Sequence, residues 1–340
     1  MINSQNDFNK LLLQGPLQVF LGLTYNCNLK CPHCYAKNKK NKYSLTLNQI
    51  NKILQDLTKM GVFKIVLSHG ENLLYPHFFK VLHNIKKYNF NCTLISNGCL
   101  INKDIARKLK NYNIDKVFIS IDSAKAEKHD KYRGVSGLWN KATNALCFMN
   151  KIGIKTGCAT TLTNLNYQEV EDIVNLAIKI GCKEISFLTL RTNQNINLEL
   201  SNDQYRNVVN KIIFLKERLK NKINILTHDP LISIMVKNSN EYKDIWDRII
   251  QENQCGAGKY FLSITPDGNM YPCNLLNNKL GNINDGISKI WQDSEEIKKL
   301  REIPTKCSDC KLVDLCQGGC RAFAYYKKSN KDPRCKKLII

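Results

Sequence analysis

The stretch that decides the fold is QVFLGLTYNCNLKCPHCY, residues 18–35. It begins with a short apolar run, 19–23, and continues directly into three cysteines, Cys27, Cys31 and Cys34. The apolar run predicts a buried strand. Three thiolates spaced C-x3-C-x2-C in the following loop can bind three irons of a [4Fe-4S] cube and leave the fourth iron open. The stretch therefore predicts a metal site at the carboxyl end of a strand.

The composition of the chain excludes several classes of protein. Its 340 residues include 15 cysteines, and 43% of the residues are hydrophobic, which excludes wholesale disorder. No apolar run reaches the roughly 18 residues of a membrane span. Because no export signal is recognisable, we expect a cytoplasmic protein without a disulfide framework, in which so many thiols indicate metal binding.

The positive charge of the chain fits an acidic or polyanionic partner, although AT-rich coding would give the same excess of lysine and asparagine without selection for binding. The 51 Lys and Arg residues exceed the 29 Asp and Glu residues, which gives a formal net charge of +22. No compact basic block occurs, and aromatic residues are not interleaved with basic ones as in a base-stacking surface. Nucleic acid is therefore disfavoured, whereas an acidic peptide fits the charge.

Short β-rich runs alternate with longer amphipathic runs from residue 18 onward. A strand–helix repeat of roughly 30 residues implies parallel strands joined by right-handed crossovers. Six such units are too few for a closed eight-stranded barrel, so the predicted fold class is α/β, a partial (β/α)6 TIM-like barrel. The predicted strands are 19–23, 64–68, 91–96, 116–121, 155–162 and 184–188, and the predicted helices are 47–60, 78–88, 101–112, 138–152, 168–180 and 201–222.

The regular alternation ends near residue 255, where a small cysteine-rich Fe-S domain is predicted. We expect an N-terminal extension over 1–17, the barrel over 18–222, a connector over 223–254 and the cysteine-rich domain over 255–340. The seven cysteines of the last segment are Cys255, Cys273, Cys307, Cys310, Cys316, Cys320 and Cys335. Within it, Pro266-Asp267-Gly268 predicts the turn of a β-hairpin.

The first cysteine loop resembles that of the radical S-adenosylmethionine (SAM) superfamily. In that family the open iron chelates the amino and carboxylate groups of SAM, and the resemblance implies the same role for the cube held by Cys27, Cys31 and Cys34. A zinc site would need a fourth ligand, which His33 is awkwardly placed to supply. A loop of redox-active thiols is the other alternative.

The residues at the end of the second predicted strand also resemble this family. Ser68-His69-Gly70-Glu71 is similar to the Gly-Gly-Glu turn that meets the SAM ammonium group, with His69 in place of the first Gly and Asn72 where Pro is usual. Strand ends form the edge at which open parallel sheets bind ligands. The resemblance implies that Gly70 and Glu71 contact SAM, and we expect the His69 side chain to face solvent.

Further candidate SAM contacts follow the later strands. Asn97 lies in a Ser-Asn-Gly turn, and Ser120 and Asp122 share one side of the fourth strand, where they suit ribose hydroxyls. Asp122 could equally cap the next helix. The resemblance implies that Arg133 pairs with the SAM carboxylate and that Thr161 contacts SAM, although β-propensity alone also explains a threonine in the fifth strand.

The C-terminal cysteines resemble the SPASM extension of radical SAM enzymes. The resemblance implies two auxiliary [4Fe-4S] clusters with interleaved ligands, the first of them lacking a fourth cysteine. A pair of structural zinc sites is the alternative, and a four-cysteine zinc site would leave three cysteines over. By resemblance, the first cluster is bound by Cys255, Cys273 and Cys320, and the second by Cys307, Cys310, Cys316 and Cys335.

The resemblance implies an enzyme that uses three [4Fe-4S] clusters and SAM to form a 5′-deoxyadenosyl radical, with electrons from a flavodoxin- or ferredoxin-type donor. The expected substrate is a peptide or small protein, and the expected outcome is a crosslink, thioether or formylglycine, or epimerisation. Alternatives are a tetrapyrrole, cofactor-precursor or RNA substrate, or a non-catalytic Fe-S or zinc module. Cys99 is the one candidate catalytic residue, as a hydrogen-atom donor. Buried thiols are expected at Cys92, Cys147, Cys158 and Cys182.

Overall fold

The computed structural model describes residues 14–36, 43–191, 197–237 and 253–335. The chain divides into two compact units, and each unit combines three separate segments of the sequence. The first unit draws on Met1–Asn26, Asn41–Thr93 and Gly256–Ile303, and the second on Cys27–Lys40, Leu94–Cys255 and Pro304–Ile340. The domain boundaries predicted at residues 17, 222 and 254 stay predictions.

The first unit contains a mixed sheet with helices. Its elements are β1 (Gln18–Leu21), α1 (Leu47–Lys59), β2 (Lys64–Leu67), α2 (Phe78–Lys87), β8 (Phe261–Ile264), β9 (Asn269–Tyr271), β10 (Gly281–Asn282), α9 (Ile287–Asp293) and α10 (Glu295–Arg301). β1 pairs in parallel with both β2 and β8, and β9 pairs antiparallel with β8 and β10. The β8–β9 hairpin with its turn at 265–268 confirms the hairpin predicted there.

The helix α1 illustrates how local sequence specifies these elements. It begins after Thr46, whose hydroxyl accepts from the Gln49 backbone N–H while the Gln49 side chain accepts from the Thr46 backbone, a capping box. The helix buries Ile50, Ile53, Leu54 and Leu57 along one face. This apolar spacing predicted the helix from the sequence.

The second unit contains a parallel sheet with helices. β3 (Asn91–Ser96) contributes residues 91–93 to the first unit and 94–96 to the second. The other elements are α3 (Lys103–Asn111), β4 (Lys116–Ser120), α4 (Ala126–Arg133), α5 (Leu138–Lys151), β5 (Thr156–Leu162), α6 (Val170–Ile180), β6 (Glu184–Thr189), α7 (Asn202–Arg218), β7 (Asn224–Thr227), α8 (Ile232–Lys237), α11 (Val313–Cys316) and α12 (Arg321–Tyr326). In the sheet, β4, β5, β6 and β7 follow one another in chain order.

The predicted strands and helices all occur, with ends shifted by a few residues, and the α/β class is confirmed. The structure adds elements that the pattern did not predict, chiefly β7 and α4. β7 has only four residues, of which Ile225 and Thr227 are buried, and it follows a polar turn directly. A strand this short is easily missed because its alternation repeats only twice. Across the described residues, no helix is long and apolar enough to cross a membrane.

Candidate SAM and cluster site

The first cysteine loop lies in the second unit and is anchored by packing. Cys31 is buried against Leu29 and Leu138, and Cys34 and Cys99 pack against the same small cluster. The Leu29 N–H donates to the Cys27 Sγ at 3.4 Å, and the Cys34 N–H donates to the Cys31 carbonyl at 3.3 Å. Hydrogen bonds within the loop and the packing of Cys31 against apolar side chains therefore fix the positions of the thiols.

Asn97, at the end of β3, links that strand end to the cysteine loop. Its Nδ2 donates to the Asn28 Oδ1 at 2.8 Å and lies 3.9 Å from the Cys27 Sγ. Its Oδ1 accepts from the Cys99 N–H at 2.9 Å. Asn97 thus organises the loop that carries the first thiol, and its contact with SAM remains a prediction.

Asp122 and Arg133 form a buried ion pair beside the loop. The Arg133 Nε and Nη2 lie 2.8 and 2.7 Å from the Asp122 Oδ2, and the Thr161 N–H donates to the Asp122 Oδ1 at 3.0 Å. Burial opposes ionisation of Asp122, but the Arg133 guanidinium and the Thr161 N–H leave its pKa below its ordinary value. The remaining Arg133 Nη1 lies 4.0 Å from the Cys31 Sγ.

Asp122 does not cap the helix that follows it, which was one of the two roles considered for it. The N-cap of α4 is Lys125, and no side chain caps this helix. Ser120 ends β4 half-buried. The expected contacts of Ser120, Asp122, Arg133 and Thr161 with SAM stay predictions; the structure shows Asp122 bound to both Arg133 and Thr161.

Two histidines, which the sequence analysis did not single out as ligand contacts, lie beside Asp122 with unsatisfied polar atoms. His33 stacks on Tyr132 at 4.5 Å, and its Nε2 lies 3.6 Å from the Asp122 Oδ2. The His129 Nδ1 accepts from the Asp122 N–H at 3.2 Å, so its proton is on Nε2. The His33 Nδ1 and the His129 Nε2 are buried without a hydrogen-bond partner.

These orphaned atoms provide the test of whether SAM fits. Buried polar atoms are nearly always paired, and each such exception calls for an explanation. Burial, which outweighs the opposing effect of the Asp122 carboxylate, lowers the pKa of His129 and of His33 to about 4, so both rings are neutral at pH 7. A polar ligand with several donors and acceptors, such as SAM, matches this set of neutral hydrogen-bonding groups next to three thiols.

The Gly70–Glu71 turn lies in the first unit and is built for close backbone approach. Gly70 has φ +41°, and a Cβ there would lie 2.7 Å from the Asn26 carbonyl oxygen and closer still to that of Thr24. The Glu71 N–H donates to the Asn26 carbonyl at 2.8 Å, and Glu71 is fully buried. Only glycine allows this approach, which fits the role that the resemblance implies for the turn.

The two departures from the family turn have structural roles. The expectation that His69 faces solvent is wrong: the ring is buried, and its Nε2 is 3.1 Å from the Ser263 Oγ. The backbone of His69 takes φ +60°, in the left-handed region. Asn72 joins the turn to the first strand, because its Oδ1 accepts from the Leu23 N–H and its Nδ2 donates to the Ser68 carbonyl, both at 3.2 Å. The alternation pattern gives no signal for either contact.

The C-terminal cysteines lie in both units, and their division into two ligand sets stays a prediction. In the second unit, Cys316 and Cys335 share a hydrogen bond between their thiols, and Cys307 is close enough to Cys310 and Cys335 for their charges to interact. Also in the second unit, the charges of Cys320 and Cys255 interact. Cys273 belongs to the first unit, shortly after β9.

The other cysteines lie apart from these groups. Cys92, Cys158 and Cys182 are buried as expected, whereas Cys147 is half-buried. Cys99 is half-buried, and its Sγ lies 3.9 Å from the Lys141 Nζ. Its packing against the cysteine loop places it near the predicted cluster, and its role as a hydrogen-atom donor remains a prediction.

Comparison with family models identifies two domains. Residues 21–177 match the radical SAM superfamily, and residues 255–320 match the SPASM iron-sulfur cluster-binding domain. The first match contains Cys27, Cys31 and Cys34, together with Gly70, Glu71, Asp122 and Arg133, and the second contains all of the C-terminal cysteines except Cys335.

Curated relatives match nearly the whole chain. The AdoMet-dependent heme synthase of Methanosarcina barkeri (strain Fusaro / DSM 804) is 25% identical over 327 residues, covering 92% of this chain and 93% of the relative. The mycofactocin maturase MftC of Mycolicibacterium smegmatis (strain ATCC 700084 / mc(2)155) is 26% identical over 340 residues, covering 95% and 83%. The chain therefore resembles relatives of two kinds, a heme synthase and a maturase.

Solved structures confirm the fold. Streptococcus suis SuiB bound to its precursor peptide SuiA superposes with a TM-score of 0.79 at 18% identity, covering 97% of this chain and 78% of that chain. Native anSMEcpe with bound AdoMet superposes with a TM-score of 0.75 at 19% identity, covering 95% of each chain. At these identities the likeness shows the fold alone: a partial barrel followed by a C-terminal domain.

Proposed function

The chain is a radical SAM enzyme with a SPASM domain, and on that premise we propose that it modifies a peptide or small protein by hydrogen abstraction. The proposed outcome is an oxidative modification such as a crosslink, thioether or formylglycine, or an epimerisation. We propose three [4Fe-4S] clusters with the ligands predicted from the sequence, and an external donor of the flavodoxin or ferredoxin type.

The chain's own residues would bind and orient SAM rather than supply the radical chemistry. When bound, the reduced cluster and SAM together supply the 5′-deoxyadenosyl radical. Asp122 holds the Arg133 guanidinium in a fixed orientation through bonds at 2.7 and 2.8 Å. The neutral His129 presents an Nε2–H donor, and the burial of this region keeps competing water away from the groups that would meet SAM.

The observation that carries the peptide assignment is the likeness to the mycofactocin maturase, which at 26% identity covers 95% of this chain. The net charge of +22 supports an acidic peptide, because complementary charge speeds encounter and orients the partner. The likeness to a maturase and the positive charge of the chain both favour a peptide, which is why the proposal names a peptide as the substrate class.

The test uses anaerobically reconstituted protein, SAM, a strong reductant and the peptides encoded beside the gene. We expect 5′-deoxyadenosine together with a mass change in one peptide. The Cys31→Ala variant should lose both products, whereas Cys147→Ser, a half-buried cysteine outside the predicted ligand sets, should keep them. Formation of 5′-deoxyadenosine with every peptide unchanged would contradict a peptide substrate.

A tetrapyrrole substrate is the second candidate, favoured by the likeness to the AdoMet-dependent heme synthase over 92% of this chain. The same assay with an iron-containing tetrapyrrole in place of the peptides distinguishes the two. Conversion of the tetrapyrrole, with no peptide altered, would assign the chain to that substrate class.

A further inference from the structure

The second unit contains a cavity of about 250 Å³ at the carboxyl end of β6. It is lined by Thr189 at the end of that strand, by the start of α7 and by residues near the C-terminus, all of them in the second unit. Pockets for drug-sized ligands measure about 300–1,000 Å³, so this cavity is the right size for a smaller group such as one amino-acid side chain. The carboxyl ends of parallel strands are also where open sheets bind their ligands.

The walls of the cavity combine apolar and polar groups. Leu190, Leu200 and Phe323 supply apolar surface. Tyr205 also lines the cavity, and although the residue is only 2% exposed, its hydroxyl has no hydrogen-bond partner among the described residues. Because buried hydroxyls are nearly always paired, an unpaired one in the wall of a cavity indicates a polar occupant.

A buried guanidinium forms part of the wall. Arg334 lines the cavity, and its guanidinium lies over the rings of Tyr205 and Phe323, 4.8 and 4.0 Å from their centroids. Its Nη1 and Nη2 lie 2.7 Å from the Asp229 Oδ2 and the Asp332 Oδ2, respectively, but neither carboxylate is among the described residues that line the cavity. The wall therefore presents the cation of this network and not its two anions.

The N-terminus of α7 adds a second positive end to the wall. Leu200 and Asn202 line the cavity on either side of the N-cap residue Ser201. The first turn of a helix carries a partial positive charge, which favours an anion nearby. Asp203 in the same turn is exposed and is not part of the described lining. The guanidinium and the helix end together favour an anionic occupant over a cationic one.

An ion pair that is open to solvent completes the lining. The Lys327 Nζ lies 3.0 and 2.7 Å from the two carboxylate oxygens of Glu199, and the two side chains are 41% and 31% exposed. Ion pairs this exposed contribute little to stability, because water screens them and holding two long side chains together costs entropy. A carboxylate from a ligand can therefore replace that of Glu199 beside Lys327 at small cost.

We propose that this cavity binds an acidic side chain of the substrate peptide, whose carboxylate takes the place of Glu199 beside Lys327. The inference rests on the proposed function, because it takes a peptide as the substrate. The apolar walls contact the methylene groups of the bound side chain, and the Lys327 ammonium and the N-terminus of α7 stabilise its carboxylate. The net charge of +22 favours the encounter with an acidic peptide.

The experiment compares two short peptides of glycine, serine and leucine that carry an uncharged dye and differ only at the central residue, glutamate or glutamine. Their binding to the reconstituted holoenzyme is measured by fluorescence anisotropy. We expect the glutamate peptide to bind more tightly, and Lys327→Gln to weaken its binding alone by about threefold to fivefold, the range that a partly exposed ion pair allows. Glu199→Gln should tighten binding of the glutamate peptide, because it removes the competing carboxylate.

A second ion pair provides matched control variants. Lys220 and Glu217 pair near the other end of α7, are 51% and 34% exposed, and do not belong to the described lining of the cavity. Lys220→Gln and Glu217→Gln change the net charge by the same amounts as Lys327→Gln and Glu199→Gln. Both control variants should bind the two peptides as the wild type does.

The outcomes separate this site from the proposed function. Unchanged or weaker binding of the glutamate peptide in Glu199→Gln would overturn the site. Equal losses in Lys327→Gln and Lys220→Gln would overturn it too, since they would show a general effect of charge, as would a glutamine peptide that binds as tightly as the glutamate one. Formation of 5′-deoxyadenosine with every peptide encoded beside the gene unchanged would instead count against the proposed function, whichever way the binding measurements fall.

Discussion

Replacing Gly70 with alanine tests whether the turn after β2 depends on close backbone approach. The new Cβ would lie 2.7 Å from the Asn26 carbonyl oxygen and nearer still to that of Thr24. These oxygens cannot move freely, because the Asn26 carbonyl accepts from the Glu71 N–H at 2.8 Å and Thr24 forms a β-bridge with Ser44. The collision is therefore with the backbone rather than with a flexible side chain.

The magnitude follows from two separate costs. Gly70 has φ +41°, and an alanine in the left-handed region costs about 1–2 kcal/mol. Forcing an extra carbon into a packed site costs about 1–3 kcal/mol more. Gly61 is the matched control in the same unit, since it has φ +73° but nothing within 4 Å of an added Cβ. Gly61→Ala should therefore show the first cost only.

The assay is guanidinium-induced unfolding of both variants and wild type under anaerobic conditions, with the free energy of unfolding obtained by linear extrapolation. We expect Gly70→Ala to lose about 1–3 kcal/mol more than Gly61→Ala. We also expect it to bind SAM more weakly, because relieving the collision must move the Glu71 backbone. Equal losses in the two variants would refute the close-approach argument.

Three further predictions concern the buried polar groups. Asp122→Asn leaves the Arg133 guanidinium buried without a carboxylate and should cost about 3–5 kcal/mol of unfolding free energy. In a double-mutant cycle, the double variant Asp122→Asn/Arg133→Met should regain most of this loss. The pKa of His129 is lowered to about 4, mainly by burial, so the unfolded chain binds a proton between about pH 6.5 and 4 that the folded chain does not. Stability should therefore fall as the pH drops through that window, by at most about 3 kcal/mol for His129. His129→Gln should remove this part of the fall and leave the part due to His33, whose pKa is also about 4, whereas the exposed His83→Gln should remove neither. Asn72→Ala removes its bonds to two backbone groups of the first unit and should cost about 1–3 kcal/mol, measured by the same unfolding assay; an unchanged midpoint would show that these bonds are dispensable.

Hydrophobic periodicity predicted β1 to β6 and the six longest helices because those elements bury apolar residues. The helix α4 was not predicted, because its residues are AEKHDKYR and its buried members are His129 and Arg133. Its inward face is polar since it meets Asp122 rather than the apolar core. The spacing of four between His129 and Arg133 was the available signal, because residues i and i+4 share one helix face.

The candidate site was predictable wherever a residue type has a narrow chemical use. Cysteines in a tight spacing predict metal binding, whereas the role of Gly70 and Glu71 came from the resemblance of their turn to that of the radical SAM superfamily. The partners of those residues were not predictable. Asn72 reaches Leu23, 49 residues away in the sequence, and His69 reaches Ser263, 194 residues away. Contacts of this kind depend on how strands are ordered, which the local pattern does not encode.

The second unit places a buried guanidinium between a carboxylate and a predicted cluster ligand. Arg133 is neutralised by Asp122 and extends Nη1 to 4.0 Å from the Cys31 Sγ. A guanidinium suits this position because it stays charged when buried and has several N–H donors in a fixed plane. One edge can therefore bind a carboxylate while another faces a sulfur, and the carboxylate removes most of the cost of burying the charge. A lysine would have to share a single ammonium group between the two partners, so we expect Arg133→Lys to weaken the carboxylate or the sulfur contact rather than preserve both.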